Sequence, residues 1–149
     1  MQLRRNLLHS YMHFVWATHD RLPLLTEDIE RQVYRYIITV CEDMNCNVLA
    51  VGGMADHVHL FVLLPTTVTF ADLMKNVKAG SSRLISKELK PETWFRWRKN
   101  YGVFAVSASH KERVINYILN QKQHHTDSSL MASLEQDSEE YEAEETQDK

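Results

Sequence analysis

An α+β fold of the ferredoxin-like type is predicted for this chain. That means an antiparallel sheet in the order β-α-β-β-α-β, helices on one of its faces, and one further helix at the C-terminal end. Three observations carry the prediction. Four short runs are apolar or alternate apolar with polar residues, as strands do. Two stretches between them repeat apolar residues at helical spacing. Pro, Gly and capping residues fall at the junctions.

The first strand is "SYMHFVWAT" (10–18), rich in aromatic and β-branched residues. The loop "HDRLPLL" follows, and Thr26 stands where a helix cap is wanted, with Glu27 and Asp28 in the first turn. Ile29, Val33, Tyr36, Ile37, Val40, Cys41 and Met44 then form one stripe. "NVLAVGGM" (47–54) is the second strand, and 57–64 is the third, stopped by Pro65. Thr69 and Asp72 resemble a capping box ahead of a helix of about five turns, striped by Phe70, Leu73, Met74, Val77, Ser81, Leu84 and Ile85. "WFRWRKNYG" (94–102) is an aromatic and basic loop, and "VFAVSAS" (103–109) is the fourth strand. Ser109 and Glu112 suggest a second capping box, opening a last helix that runs to about His125. Right-handed crossovers make the first and third strands the inner pair.

Length and composition suit one domain, placed at 1–125, followed by an acidic tail at 126–149 expected to be disordered. Of the 20 acids and 17 bases, nine acids and one base lie in that tail. The body therefore carries +5 and the tail −8, a balance that points to an anionic partner such as nucleic acid. No apolar run reaches the roughly 18 residues of a membrane span, so no membrane partner is expected. Cys41 and Cys46 have neither zinc nor redox spacing and are read as structural thiols suited to a reducing cytoplasm.

In "DHVHLFVLLP" (56–65), His57 and His59 point to one face of their strand, while Val58, Leu60, Val62 and Leu64 take the other. Imidazoles two residues apart can converge on a divalent ion. Taken alone, they are more readily half-buried strand histidines. On the last helix, Tyr117, Gln121 and His124 lie together at the edge of an apolar arc, beside His110. A carboxamide oxygen can complete a His-His-Gln metal site, and a tyrosine hydroxyl beside a bound phosphate can act as a nucleophile. For an isolated tyrosine, packing is the simpler role.

The segments "YMHFVWAT", "GGMADHVHLFVLLP", "LMKNVKAGSSRLI", "FRWRKNYGVFAVSAS" and "VINYILNQKQHH" together resemble the single-tyrosine HUH transposases of the insertion-sequence-200/605 family, over nearly all of 8–125. The resemblance implies His57 and His59 as metal ligands, Gln121 as the third ligand and Tyr117 as the catalytic nucleophile. It implies Mg²⁺ or Mn²⁺ as cofactor. The substrate would be single-stranded DNA with hairpin ends, cut and rejoined through a 5′-phosphotyrosine. Family members act as homodimers in which the tyrosine helix can dock onto the partner subunit's histidines. The place of action would be the bacterial or archaeal cytoplasm, at the nucleoid. His110 and His124 are candidate general bases.

The residues expected at DNA are Lys75, Lys78, Ser82 and Arg83 on the second helix, and Arg96, Arg98 and Lys99 in the loop. Trp94, Phe95 and Trp97 are candidates for stacking on bases, with core packing the equal alternative for the two tryptophans. The alternatives to a transposase are a domesticated DNA-hairpin-binding protein without mobilising activity and a ferredoxin-like metal- or ligand-sensing domain. A replication initiator or relaxase is disfavoured by the short chain and its single-tyrosine helix. The acidic stretch after His125 departs from the family pattern.

Overall fold

The computed structural model describes residues 8–122, and the acidic tail and His124 lie outside the described residues. The elements are β1 (Tyr11–Ala17), α1 (Glu27–Asp43), β2 (Asn47–Met54), β3 (His57–Leu63), α2 (Phe70–Leu84), β4 (Gly102–Val106) and α3 (Lys111–Leu119). This is the expected α+β order. The four strands form one antiparallel sheet in the order β2-β3-β1-β4, so β3 and β1 are central as the crossover rule requires.

The period-2 pattern of β3 divides the molecule. Val58, Leu60, Val62 and Leu64 join Phe14 and Trp16 of β1 in a core closed by α1 and α2. Ile29, Val33, Ile37 and Cys41 of α1 and Leu73, Met74, Val77 and Ser81 of α2 are the buried stripes. Gly80 lets the helices approach: a Cβ there would lie 2.1 Å from the Tyr36 hydroxyl. On the opposite face a second cluster, built on Ala50 of β2, Phe61 of β3 and Val114 and Ile118 of α3, holds the last helix to the sheet. Among the described residues, no helix is long and apolar enough to cross a membrane.

Thr69 caps α2 as expected, accepting a hydrogen bond from the Asp72 amide at 3.1 Å. Several details at the element ends differ from the sequence reading, and β4 ends at Val106 rather than reaching 109. Thr26 stands at the cap of α1, but its hydroxyl bonds the Asp28 carboxylate rather than a backbone amide. The box at Ser109 and Glu112 does not form. Ser109 lies inside a 3₁₀ turn, Ala108–His110, with its hydroxyl against Ser107 and His110, and α3 starts only at Lys111. The last helix is interrupted at Asn120 instead of running on unbroken, with helical backbone again at 121 and 122. Asn120 leaves helical geometry (φ −108°, ψ 26°), and its amide and side chain both bond the Asn116 carbonyl.

Candidate active site

On the α3 side of the sheet, His57 and His59 are 1% and 0% exposed. Opposite and beside them stand small residues: His59 pairs with Gly52 of β2, and His57 with Ala17 of β1. β1 contributes a third imidazole, the fully buried His13, whose Nε2 lies 2.8 Å from His59 Nδ1.

α3 crosses this face and places Tyr117, 2% exposed, with its ring 5.9 Å from that of His59 and nearly perpendicular to it. Gln121 follows the break at Asn120, is buried, and brings its Oε1 to 3.2 Å from His57 Nε2. Lys122 then ties the chain to Glu30 of α1. His57, His59, Tyr117 and Gln121 thus meet at one place, within one chain. His110 is elsewhere, its Nδ1 2.6 Å from the Ser107 hydroxyl at the exposed start of α3.

The donor set can be tested against a divalent ion. His57 Nδ1 donates to Asp56 Oδ1 at 2.7 Å. That bond, with the charges of His57 and Arg21 assisting, holds the Asp56 carboxyl below its ordinary range against the opposing pull of partial burial. With the Nδ1 proton committed, His57 Nε2 and Gln121 Oε1 are two acceptors facing each other at 3.2 Å. A cation held by both, a second proton on the ring, or a carboxamide turned to donate its NH₂ satisfies the pair. Outer-shell partners on the far nitrogen of each imidazole are the usual support of metal-binding histidines. Among the described residues no group of three or more His, Cys, Asp or Glu forms a metal cluster, so the third donor would be the carboxamide. The residues fit a divalent ion with open positions.

The backbone of the basic loop is tied to the chain beside this site, whereas the basic residues of α2 belong to the helix on the opposite face of the sheet. Arg98 N donates to Ala17 O at 2.8 Å, His19 N donates to Arg96 O at 2.9 Å, and Thr18 bridges Trp97. Thr18 N in turn donates to Asp56 O, so the basic loop is stitched to the chain next to His57. A hollow of about 440 Å³ is lined by Arg96, Arg98, Lys99, His19, Trp97 and the acidic Asp20. A second, of about 350 Å³, is lined by Lys75, Lys78, Lys99 and Tyr101. Ser82 and Arg83 line neither. Lys78 has a further task, its ammonium donating to the carbonyls of Arg98, Lys99 and Asn100.

Of the three aromatic candidates, Phe95 and Trp97 are core residues, the latter donating Nε1 to Ser81 Oγ at 2.9 Å. Only Trp94 is exposed, its ring against His19. The sequence reading passed over His13 and Asp56. Asp56 adjoins His57, and His13 shares the face of His59 once β1 and β3 are neighbours, so both signals were available.

The sequence matches the family described as "Transposase IS200 like" over residues 6–121. No curated protein matches it. Two solved structures are similar in fold. One is a protein of Deinococcus radiodurans R1 assigned as a transposase: 24% identity, 81% of this chain and 98% of the other, TM-score 0.62. The second is a REP-associated tyrosine transposase bound to a REP hairpin: 16% identity, 84% of this chain and 74% of the other, TM-score 0.62. With the family match covering the whole sheet and the helix that carries Tyr117, the chain belongs to the IS200-like transposase family.

Proposed function

We propose that this transposase cuts and rejoins single-stranded DNA by tyrosine transesterification. One observation carries the reading: Tyr117 and the donor set of His57, His59 and Gln121 converge on a single buried place, flanked by the basic loop. The Tyr117 oxygen attacks a backbone phosphorus. The new bond joins Tyr117 to the 5′-phosphate, and the bond to the 3′-oxygen breaks. The 3′-oxygen leaves as a hydroxyl, so the proton lost by the tyrosine is balanced. The diester energy is kept in the phosphotyrosine, and a second 3′-hydroxyl reverses the step to join new ends.

His57, His59 and Gln121 would hold Mg²⁺ or Mn²⁺, which would polarise the scissile phosphate and favour the tyrosinate, whose ordinary pKa is about 10. Asp56 orients His57. The sheet and α3 keep water away from Tyr117. Arg96, Arg98 and Lys99 would seat phosphates, and Trp94 would stack on a base. A structural neighbour solved on a REP hairpin supports hairpin-marked DNA as the substrate class. The same reading has the protein acting as a homodimer at the nucleoid.

The test uses labelled single-stranded DNA from the flanks of the gene, with Mn²⁺ or Mg²⁺. A covalent protein–DNA band on a denaturing gel is expected for the wild type and absent for Tyr117→Phe. Tight, salt-sensitive hairpin binding without a band would mark a hairpin binder that has lost the chemistry.

A further inference from the structure

We infer that His13 is a positioning residue that sets which nitrogen of His59 carries the proton, and so which one keeps a lone pair towards the active site. The inference rests on the reading of His57, His59 and Gln121 as a metal site.

His13 Nε2 and His59 Nδ1 are 2.8 Å apart, and both rings are wholly buried. Between two neutral imidazoles one nitrogen must donate and the other accept. If His13 donates, His59 carries its own proton on Nε2, and that nitrogen has no lone pair to offer. If His59 donates from Nδ1, its Nε2 keeps a lone pair, matching His57, whose Nδ1 proton is held by Asp56. Only the second arrangement gives two imidazoles that can bind one ion. In that arrangement His13 is the acceptor behind His59, the place Asp56 takes behind His57, and carries its own proton on the buried Nδ1.

The packing makes this role specific. His13 pairs across the sheet with Phe61 on one side and Phe104 on the other, and both rings flank its imidazole at 6.5 and 6.0 Å. His13 stands diagonal to His59, whose direct partner on β1 is Val15. The His13 ring lies 5.0 Å and the Tyr117 ring 5.9 Å from that of His59. An apolar residue of the same size would fill the space without accepting a proton. A glutamine would keep an acceptor oxygen.

The experiment measures Mn²⁺ affinity by calorimetry on the full chain, beside ¹⁵N imidazole spectra of the metal-free protein. The variants are His13→Phe and His13→Gln. In the wild type, His59 is expected to show its proton on Nδ1. In His13→Phe that proton moves to Nε2, Mn²⁺ affinity falls about 10- to 100-fold, and the yield of covalent DNA adduct falls with it. His13→Gln is expected to recover most of the affinity. Wild-type affinity in His13→Phe, or a wild-type His59 protonated on Nε2, would overturn the inference while leaving the metal site standing. The wild-type spectrum decides even if His13→Phe fails to fold. A wild type that takes up no Mn²⁺ would remove the metal site itself, and this inference with it.

Discussion

Gly52 and Ile118 meet backbone to backbone: a Cβ on Gly52 would lie 2.5 Å from the Ile118 carbonyl oxygen and 3.3 Å from its Cγ2. Ile118 follows Tyr117, so the height of α3 above β2 sets where the hydroxyl stands. Gly52→Ala must lift the helix, because the obstacle is backbone. The expected stability loss is about 1–3 kcal/mol, with at least a tenfold fall in covalent adduct as an order-of-magnitude expectation for a displaced nucleophile. Urea unfolding and the denaturing-gel assay measure both. Normal adduct yield in Gly52→Ala would show that Tyr117 is positioned by something other than this close approach.

The Trp97 indole depends on one acceptor, Ser81 Oγ, inside the core. Ser81→Ala removes it and leaves a buried N–H, at a cost of about 1–3 kcal/mol. Urea denaturation reads this directly. A change well below that range would mean that the indole finds another acceptor.

Basic residues should separate into two kinds. Lys78 spans three loop carbonyls, so Lys78→Ala should lower the melting temperature and DNA affinity together. Arg96 is exposed in the 440 Å³ hollow. Arg96→Ala should leave the melting temperature alone and reduce the salt slope of single-strand binding by about 0.7 for each phosphate that the guanidinium neutralises. Trp94→Ala should weaken binding by about 1–3 kcal/mol without changing stability. Anisotropy titrations over a salt series, beside thermal melts, would sort them. Equal salt slopes in wild type and Arg96→Ala would take that residue off the DNA path.

Alkaline pH should loosen α1. Burial pushes the Cys41 thiol up to about 12 from an ordinary value of 9.0, with Cys46 and Glu42 adding to it. Burial also raises Tyr34, whose hydroxyl has no hydrogen-bond partner among the described residues. Both groups are neutral when protonated, and the unfolded chain loses these protons first. Their contribution is therefore complete below pH 9 and declines as pH rises from 9 towards 12. Stability measured from pH 7 to 11 should fall above 9, and Cys41→Ala should flatten part of that decline. A decline unchanged in Cys41→Ala would assign it to other groups.

Hydrophobic period made the layers legible in the sequence. It placed Val58, Leu60 and Val62 on the helix side and His57 and His59 on the other, and the crossover rule put β3 inside the sheet. Local polar competition was less legible. The Asn120 side chain takes the Asn116 carbonyl and interrupts α3 between Tyr117 and Gln121, where periodicity reads straight through. Ser107 begins a 3₁₀ turn that pre-empts the cap expected at Ser109. His13 required the register between β1 and β3, a long-range fact that one strand does not contain.

The alternation of β3 has a consequence for heredity. Its even residues meet the α1 and α2 side and its odd residues the side of the site. Substitutions that retune the core and substitutions that retune the chemistry therefore fall in different codons of one seven-residue strand. A point change on either side of Leu60 in the core, such as Val58→Ile or Val62→Ile, can be tried by drift without displacing an imidazole. A single inserted or deleted codon has no such latitude. It would turn the imidazoles into the core and the valines towards the side of Tyr117, disrupting packing and site in one event.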